Sequence, residues 1–142
     1  NSFLVYICLL LIIVGFGYKI SMAPFHYWTP DVYEGSPTPV TAFFSVGPKA
    51  AGFAILTRVL YTMFTENGEI TSILPLYGIN WTLIFAVLSA LTMTIGNFLA
   101  LHQTNVKRLL AFSSISHVGF MLIGFSVIGI ESLTAVLFYL VI

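Results

Sequence analysis

The sequence predicts an all-α polytopic membrane helix bundle, and three observations carry that prediction. Of 142 residues, 58% are hydrophobic and only 7% are charged. The mean hydropathy is +1.01. The apolar residues gather into long runs, one of which ends in a proline-rich interruption beside a lysine. A soluble domain carries about a quarter of its residues as Asp, Glu, Lys or Arg. Here five acids and five bases serve the whole chain. That excludes a soluble globular enzyme, a nucleic-acid binder with a basic face, and a disordered tail. The formal net charge of zero points to no ionic partner, and the lone Cys8, inside an apolar run, excludes a disulfide framework.

Five apolar segments follow one another, at 3–22, 39–64, 80–101, 109–130 and 133–142. They read as helices because lipid offers backbone groups no water, so each span must satisfy its own hydrogen bonds. About 20 residues are needed to cross the hydrocarbon, so the last run is too short alone. The chain opens at Asn1 with neither a basic region nor a small-residue cleavage site, unlike a signal peptide. The expectation is an internal fragment of one longer membrane domain, with roughly three full spans and two partial or broken ones.

The connections differ in character. The first, at 23–39, holds four of the six prolines together with Tyr27, Trp28 and Tyr33. Proline breaks intrahelical bonds and Trp and Tyr favour the headgroup level, so this stretch reads as an irregular interfacial connection. The second carries Glu66, Asn67, Gly68 and Glu69, a polar loop; the third carries Lys107 and Arg108; the last, little beyond Glu131. The first and third share one side of the membrane. Lys107 and Arg108 mark that side as cytoplasmic, or matrix in an organelle, by the positive-inside rule. Arg58, near the end of the second helix, can snorkel to the opposite side.

Lys49 is the strongest chemical signal. It sits well inside the second helix, where a lysine costs roughly 2.5 to 3.5 kcal/mol at the bilayer centre. Thr38, Thr41, Ser45, Lys49 and Gly52 recur at spacings of three and four, one polar stripe on which Thr41 and Ser45 can order water. The bland alternative is a lysine that snorkels or is bonded for helix packing. Lys19 ends a long apolar run, where snorkelling is equally at hand. Pro24, five residues on, disrupts the carbonyl ladder around Lys19 and Ile20. A broken helix beside an ionisable group recurs in ion-translocating proteins. Neither lysine has an obvious acidic partner in the chain. Either they spend part of a cycle neutral, or a carboxylate from elsewhere pairs with one of them, and both cases suit a proton relay.

His26 lies seven residues beyond Lys19 and would share its face if the helix resumed. His117 is expected to face inward from the fourth helix with Ser113, Phe120 and Gly124, as a packing or relay histidine. His102 reads as interfacial. Three scattered histidines and one cysteine give no metal-ligand spacing, so no cofactor is expected on this chain. Asn80-Trp81-Thr82 matches a glycosylation sequon but begins a membrane helix and is discounted.

Two long stretches carry a resemblance. Residues 19–40, KISMAPFHYWTPDVYEGSPTPV, and residues 97–120, NFLALHQTNVKRLLAFSSISHVGF, resemble the subunit N family of the proton-pumping NADH–quinone oxidoreductase, respiratory complex I. The WTPDVYEG form is more similar to subunit N than to its antiporter-like L and M relatives. In this family a lysine on the broken seventh helix pairs with a glutamate on the fifth. A second lysine, on the eighth helix, passes protons along a central hydrated axis. The resemblance implies the first role for Lys19 and the second for Lys49. Of the other candidates, His26, Thr41, Ser45, Ser113 and His117 are expected as relay or channel-lining groups. It further implies partners among the other membrane subunits of complex I, including neighbouring antiporter-like subunits, within the lipid bilayer of a bacterial inner membrane or an organelle. NADH, FMN, iron–sulfur clusters and quinone would belong to other parts of that complex.

The expected function is therefore proton translocation coupled to electron transfer that takes place elsewhere. Two readings compete with it: a subunit of an Mrp-type cation/proton antiporter, which needs no dehydrogenase, and a passive module whose lysines only lock helices together.

Overall fold

The computed structural model describes residues 2–66, 69–70, 80–127 and 129–141. Among these residues six helices follow in order: α1 Ser2–Ile20, α2 Trp28–Gly35, α3 Thr38–Phe64, α4 Trp81–Leu101, α5 Val106–Val127 and α6 Ile130–Val141. Between α3 and α4 a two-residue strand β1, Thr65–Glu66, pairs antiparallel with β2, Glu69–Ile70. Asn67 and Gly68 of the expected polar loop lie outside the described residues. Among the described residues, three helices are long and apolar enough to cross a membrane, α3 over Thr38–Thr62 and the whole of α4 and α5; shorter apolar helices cover Tyr6–Ile20 and Glu131–Val141.

The expected break follows α1 and has a defined chemistry. Met22 N–H donates to the Gly17 carbonyl at 2.9 Å and Ser21 N–H to that of Tyr18 at 3.3 Å, which together form a Schellman cap. Ser21 holds the left-handed position of that cap, with φ of 64°, where glycine is the usual residue. Gly17 leaves the room this fold-back requires: a Cβ there would meet Met22 Cε at 2.7 Å and Phe25 Cδ2 at 2.8 Å. A continuous helix would give the Ala23 N–H to the Lys19 carbonyl, but it donates instead to Thr92 Oγ1 on α4 at 3.1 Å. Pro24 has no N–H for the Ile20 carbonyl. Both carbonyls beside Lys19 thus lose their helical partners.

The first connection corrects the sequence reading, because part of it is helical. Trp28–Gly35 forms α2, and α3 already begins at Thr38. Pro30 is third in α2 and Pro39 second in α3, positions whose N–H groups have no intrahelical partner to lose. Neither proline therefore breaks anything. Inside α3, Pro48 withholds the donor that the Phe44 carbonyl would accept, directly before Lys49.

The core lies where α1, α3, α4 and α5 meet. Phe53 of α3 stacks on Phe125 of α5 with centroids 6.0 Å apart, and Phe85 of α4 lies 6.0 Å from Phe125. Lipid tails are as apolar as leucine, so membrane helices associate through close packing and polar contacts. The α4–α5 pair uses both. A Cβ on Gly119 would meet Met93 Cγ at 2.6 Å and the Met93 backbone nitrogen at 2.8 Å. Ser89 Oγ donates to the Gly119 carbonyl at 2.8 Å, and Ser116 Oγ to Asn97 Oδ1 at 3.1 Å.

Candidate functional site

Lys49 is 4% exposed. Its Nζ donates to Ser114 Oγ of α5, and the Tyr33 ring of α2 lies below the ammonium with its centroid at 6.0 Å. Tyr33 is itself 1% exposed. Three elements therefore converge on one charge: α3 supplies the lysine, α5 its acceptor and α2 an aromatic face.

An open cleft of about 590 Å³ borders this site, with Lys49, Ser45, Ser114, His117 and Tyr139 among its lining residues. His117 Nδ1 and the Tyr139 hydroxyl of α6 are 2.7 Å apart. Here the structure corrects a second expectation. His117 and Phe120 are exposed, while Ile115, Ser116, Val118, Gly119 and Leu122 are among the buried positions of α5. His117 thus lines the cleft toward α6, away from the packed α4–α5 seam.

The other candidates stand apart. Lys19 is exposed on the last turn of α1, and no described side chain pairs with it. Its stem passes α3, with Lys19 Cγ 3.6 Å from where a Gly52 Cβ would lie. Gly52 is three residues beyond Lys49 on the predicted stripe. Thr41 Oγ1 is turned onto backbone carbonyls, donating to Tyr33 at 3.3 Å and Pro37 at 3.2 Å. Ser45 Oγ donates to the Ala42 carbonyl at 2.7 Å while lining the cleft. Ser113 is half-buried and not among the cleft residues. His26 is 2% exposed, stacks on Tyr27 at 4.6 Å, and its buried Nδ1 has no hydrogen-bond partner among the described residues. The structure therefore joins Lys49, Ser45 and His117, and leaves Lys19, His26, Thr41 and Ser113 outside that group.

Sequence reasoning missed Ser114, Tyr33 and Tyr139. Ser114 lies one residue from the Ser113 that was singled out, and a helix turns by about 100° per residue, enough to move a side chain to another face. Tyr33 falls in the proline-rich connection, whose sequence does not reveal α2 or its buried face.

A surface cluster joins the first and third connections, as their expected common side requires. Arg108 Nη1 lies 2.9 Å from Asp31 Oδ1 and 2.8 Å from Glu34 Oε2. Asn105 Nδ2 donates to Glu34 Oε1 at 2.9 Å and Lys107 Nζ to the Ser36 carbonyl at 2.8 Å. The Arg108 guanidinium holds the Glu34 carboxyl below the usual carboxylate range. The two bases are thus structural partners of α2 and its C-terminal end. At the start of α4, the sequon residue Asn80 caps the helix, accepting from Leu83 N–H at 3.1 Å.

Comparison with known proteins extends the picture. The family described as NADH:quinone oxidoreductase/Mrp antiporter, TM, matches residues 1–142. The chain is 57% identical over 129 residues to NADH-quinone oxidoreductase subunit N 2 of Sorangium cellulosum, an alignment covering 91% of this chain and 25% of that protein. It is 49% identical over 140 residues to subunit N of Chlorobium chlorochromatii, covering 99% and 27% respectively. A chain of the membrane-bound sulfane sulfur reductase, an archaeal respiratory membrane complex, superposes with a TM-score of 0.80 at 31% identity, over 99% of this chain and 27% of that one. The chain spans 25–27% of the length of the curated relatives quoted. A match through every residue, together with a fold shared over 99% of the chain, makes this chain a member of the NADH:quinone oxidoreductase/Mrp antiporter membrane family.

Proposed function

We propose that this chain is the proton-carrying part of a membrane subunit of NADH–quinone oxidoreductase, with Lys49 as the central carrier and Lys19 as the switching lysine. The single observation that carries the reading is the buried Lys49 ammonium, bonded to Ser114 and opening on a cleft. A lysine used only for packing needs no cleft. Ser45 and His117 border the same space, so a proton leaving Lys49 has polar groups within it.

Lys19 supports the reading differently. It stands beside carbonyls freed by the break, and no described carboxylate is paired with it. The glutamate partner implied by the resemblance would come from elsewhere in the protein. Energy released by electron transfer from NADH to quinone, outside this chain, would change that pairing. The change would alter the proton affinity of Lys19 and drive a proton toward Lys49. Each charge moved against the membrane potential costs about 2.3 kcal/mol per 100 mV. The partners would be the other membrane subunits of complex I, and the setting a bacterial inner or organellar energy-transducing membrane. Relatives named as subunit N favour this reading over an Mrp-type antiporter.

The test is acidification of membrane vesicles driven by NADH, with assembly checked on the same preparation. Lys19→Ala and Lys49→Met are each expected to abolish acidification while the complex still assembles. Normal pumping by Lys19→Ala would remove the central claim. Retention of both assembly and pumping by Lys49→Met would establish the passive packing role instead.

A further inference from the structure

The short helix α2 has two faces with different tasks. Its inner face, Thr29, Pro30 and Tyr33, is buried. Its outer face presents Asp31 and Glu34, both held by one guanidinium, that of Arg108, at 2.9 and 2.8 Å. Asn105 adds a bond to Glu34, and Lys107 ties down the Ser36 carbonyl just past the helix end. Lys107 and Arg108 lie in the first turn of α5, and Asn105 directly precedes it. Roughly two turns along that helix, Ser114 accepts from the Lys49 ammonium. One helix thus fixes the acceptor of Lys49 and, through the ion pairs, the element that places an aromatic ring beneath it.

We propose that Arg108 and Tyr33 are positioning residues for Lys49: the ion-pair cluster holds α2 against α5, and α2 holds the ring face of Tyr33 under the ammonium. The inference rests on the reading of Lys49 as a proton carrier. An eight-residue helix has no stability of its own, so the direction of α2 comes from its tertiary contacts. It is bounded by the break on one side and the Ser36-Pro37 turn on the other, and neither end continues it. The attraction between an ammonium and a ring face operates within about 6 Å of the centroid. At 6.0 Å, Lys49 sits at that edge, so a small tilt of α2 removes the ring from it. Exposed ion pairs are weak singly. Two carboxylates sharing one guanidinium, with Asn105 on one of them, fix a direction more than they add stability. The polar groups that share the cleft with Lys49 are Ser45 of α3, Ser114 and His117 of α5 and Tyr139 of α6, while Lys19 of α1 touches the same helix only through its stem at Gly52.

The experiment uses the assembled complex in vesicles and reads assembly, NADH oxidation and acidification together. Tyr33→Leu is expected to lower acidification per NADH oxidised by about five-fold, and Tyr33→Phe, which keeps the ring, to restore most of it. Arg108→Glu should lower it by about three-fold, with recovery in the triple reversal Arg108→Glu, Asp31→Arg, Glu34→Arg. Wild-type acidification in Tyr33→Leu or Arg108→Glu overturns the proposal, as does equal loss in the Leu and Phe variants or no recovery in the triple reversal. If Tyr33→Leu does not assemble, the surface reversal series decides alone. Lys49→Met keeps the two readings apart. Normal pumping by that variant defeats the carrier role itself, whereas its silence beside wild-type Tyr33→Leu and Arg108→Glu defeats only the positioning role.

Discussion

Ser114 is the polar neighbour on which a buried charge depends. A lysine near the bilayer centre costs roughly 2.5 to 3.5 kcal/mol. A hydrogen bond to a charged group contributes about 1.5 to 3 kcal/mol, so the Ser114 oxygen offsets a large share of that cost. The same bond sets where the ammonium points, toward α5 and the cleft it shares with His117. Replacing Ser114 with alanine keeps the helix and removes the acceptor. The expected result is a loss of proton translocation of about ten-fold, since 1.4 kcal/mol is a factor of ten. Ser114→Thr, which keeps a hydroxyl, should retain most activity. Acidification measured on matched amounts of assembled complex checks both, and wild-type pumping by Ser114→Ala would show that the bond is incidental.

Between elements, the seam of α4 and α5 is the rigid frame, because glycine and hydroxyl residues bring the backbones together. At Gly119 an added Cβ meets the backbone nitrogen of Met93 at 2.8 Å, and backbone cannot rotate aside as a side-chain tip can. Overpacking of this kind costs about 1 to 3 kcal/mol, so Gly119→Val should lower the thermal midpoint of the purified complex by several degrees. Gly15, with open space around its position, is the control, and Gly15→Ala should leave the midpoint unchanged. How far this frame could be read from the sequence depends on the signal involved. Apolar runs announced α1, α3, α4 and α5 because lipid burial demands length and composition, both visible in one dimension. Pro24 announced the break because it sits four residues beyond a carbonyl it cannot serve. The same rule misled at Pro30, where a first-turn position cancels the effect and hides α2. Without α2, nothing in the sequence places Tyr33 at Lys49, since that contact joins positions brought together only by the turn into α3. His117 was misplaced for a related reason. Hydroxyls, glycines and aromatics are spread around α5, so its pattern does not say which face meets α4 and which meets the cleft.

Across the whole molecule, charge is sorted by end as well as by depth. Asp31, Glu34, Lys107 and Arg108 form one cluster at the junction of α2, α3 and α5, and Glu66 lies at the far end of α3. The 27 residues of α3 extend about 40 Å, more than the roughly 30 Å of hydrocarbon, so the two ends must reach opposite surfaces. By the positive-inside rule, Lys107 and Arg108 predict that the cluster faces the cytoplasm, or the matrix in an organelle. Accessibility of introduced cysteines measures this directly, in a background where the exposed Cys8 is replaced by alanine. Gln103→Cys and Pro37→Cys should react with a membrane-impermeant maleimide in inverted vesicles and stay unlabelled in right-side-out ones, and Glu66→Cys should behave in reverse. Labelling of all three from one side would contradict α3 as a span and with it the burial of Lys49 between two surfaces. A clean exchange of sides would leave the bundle intact and invert only its orientation. The proton path proposed through Lys49 would then run from the opposite compartment, because the cleft beside Lys49 keeps its place relative to the cluster whichever way the bundle is inserted.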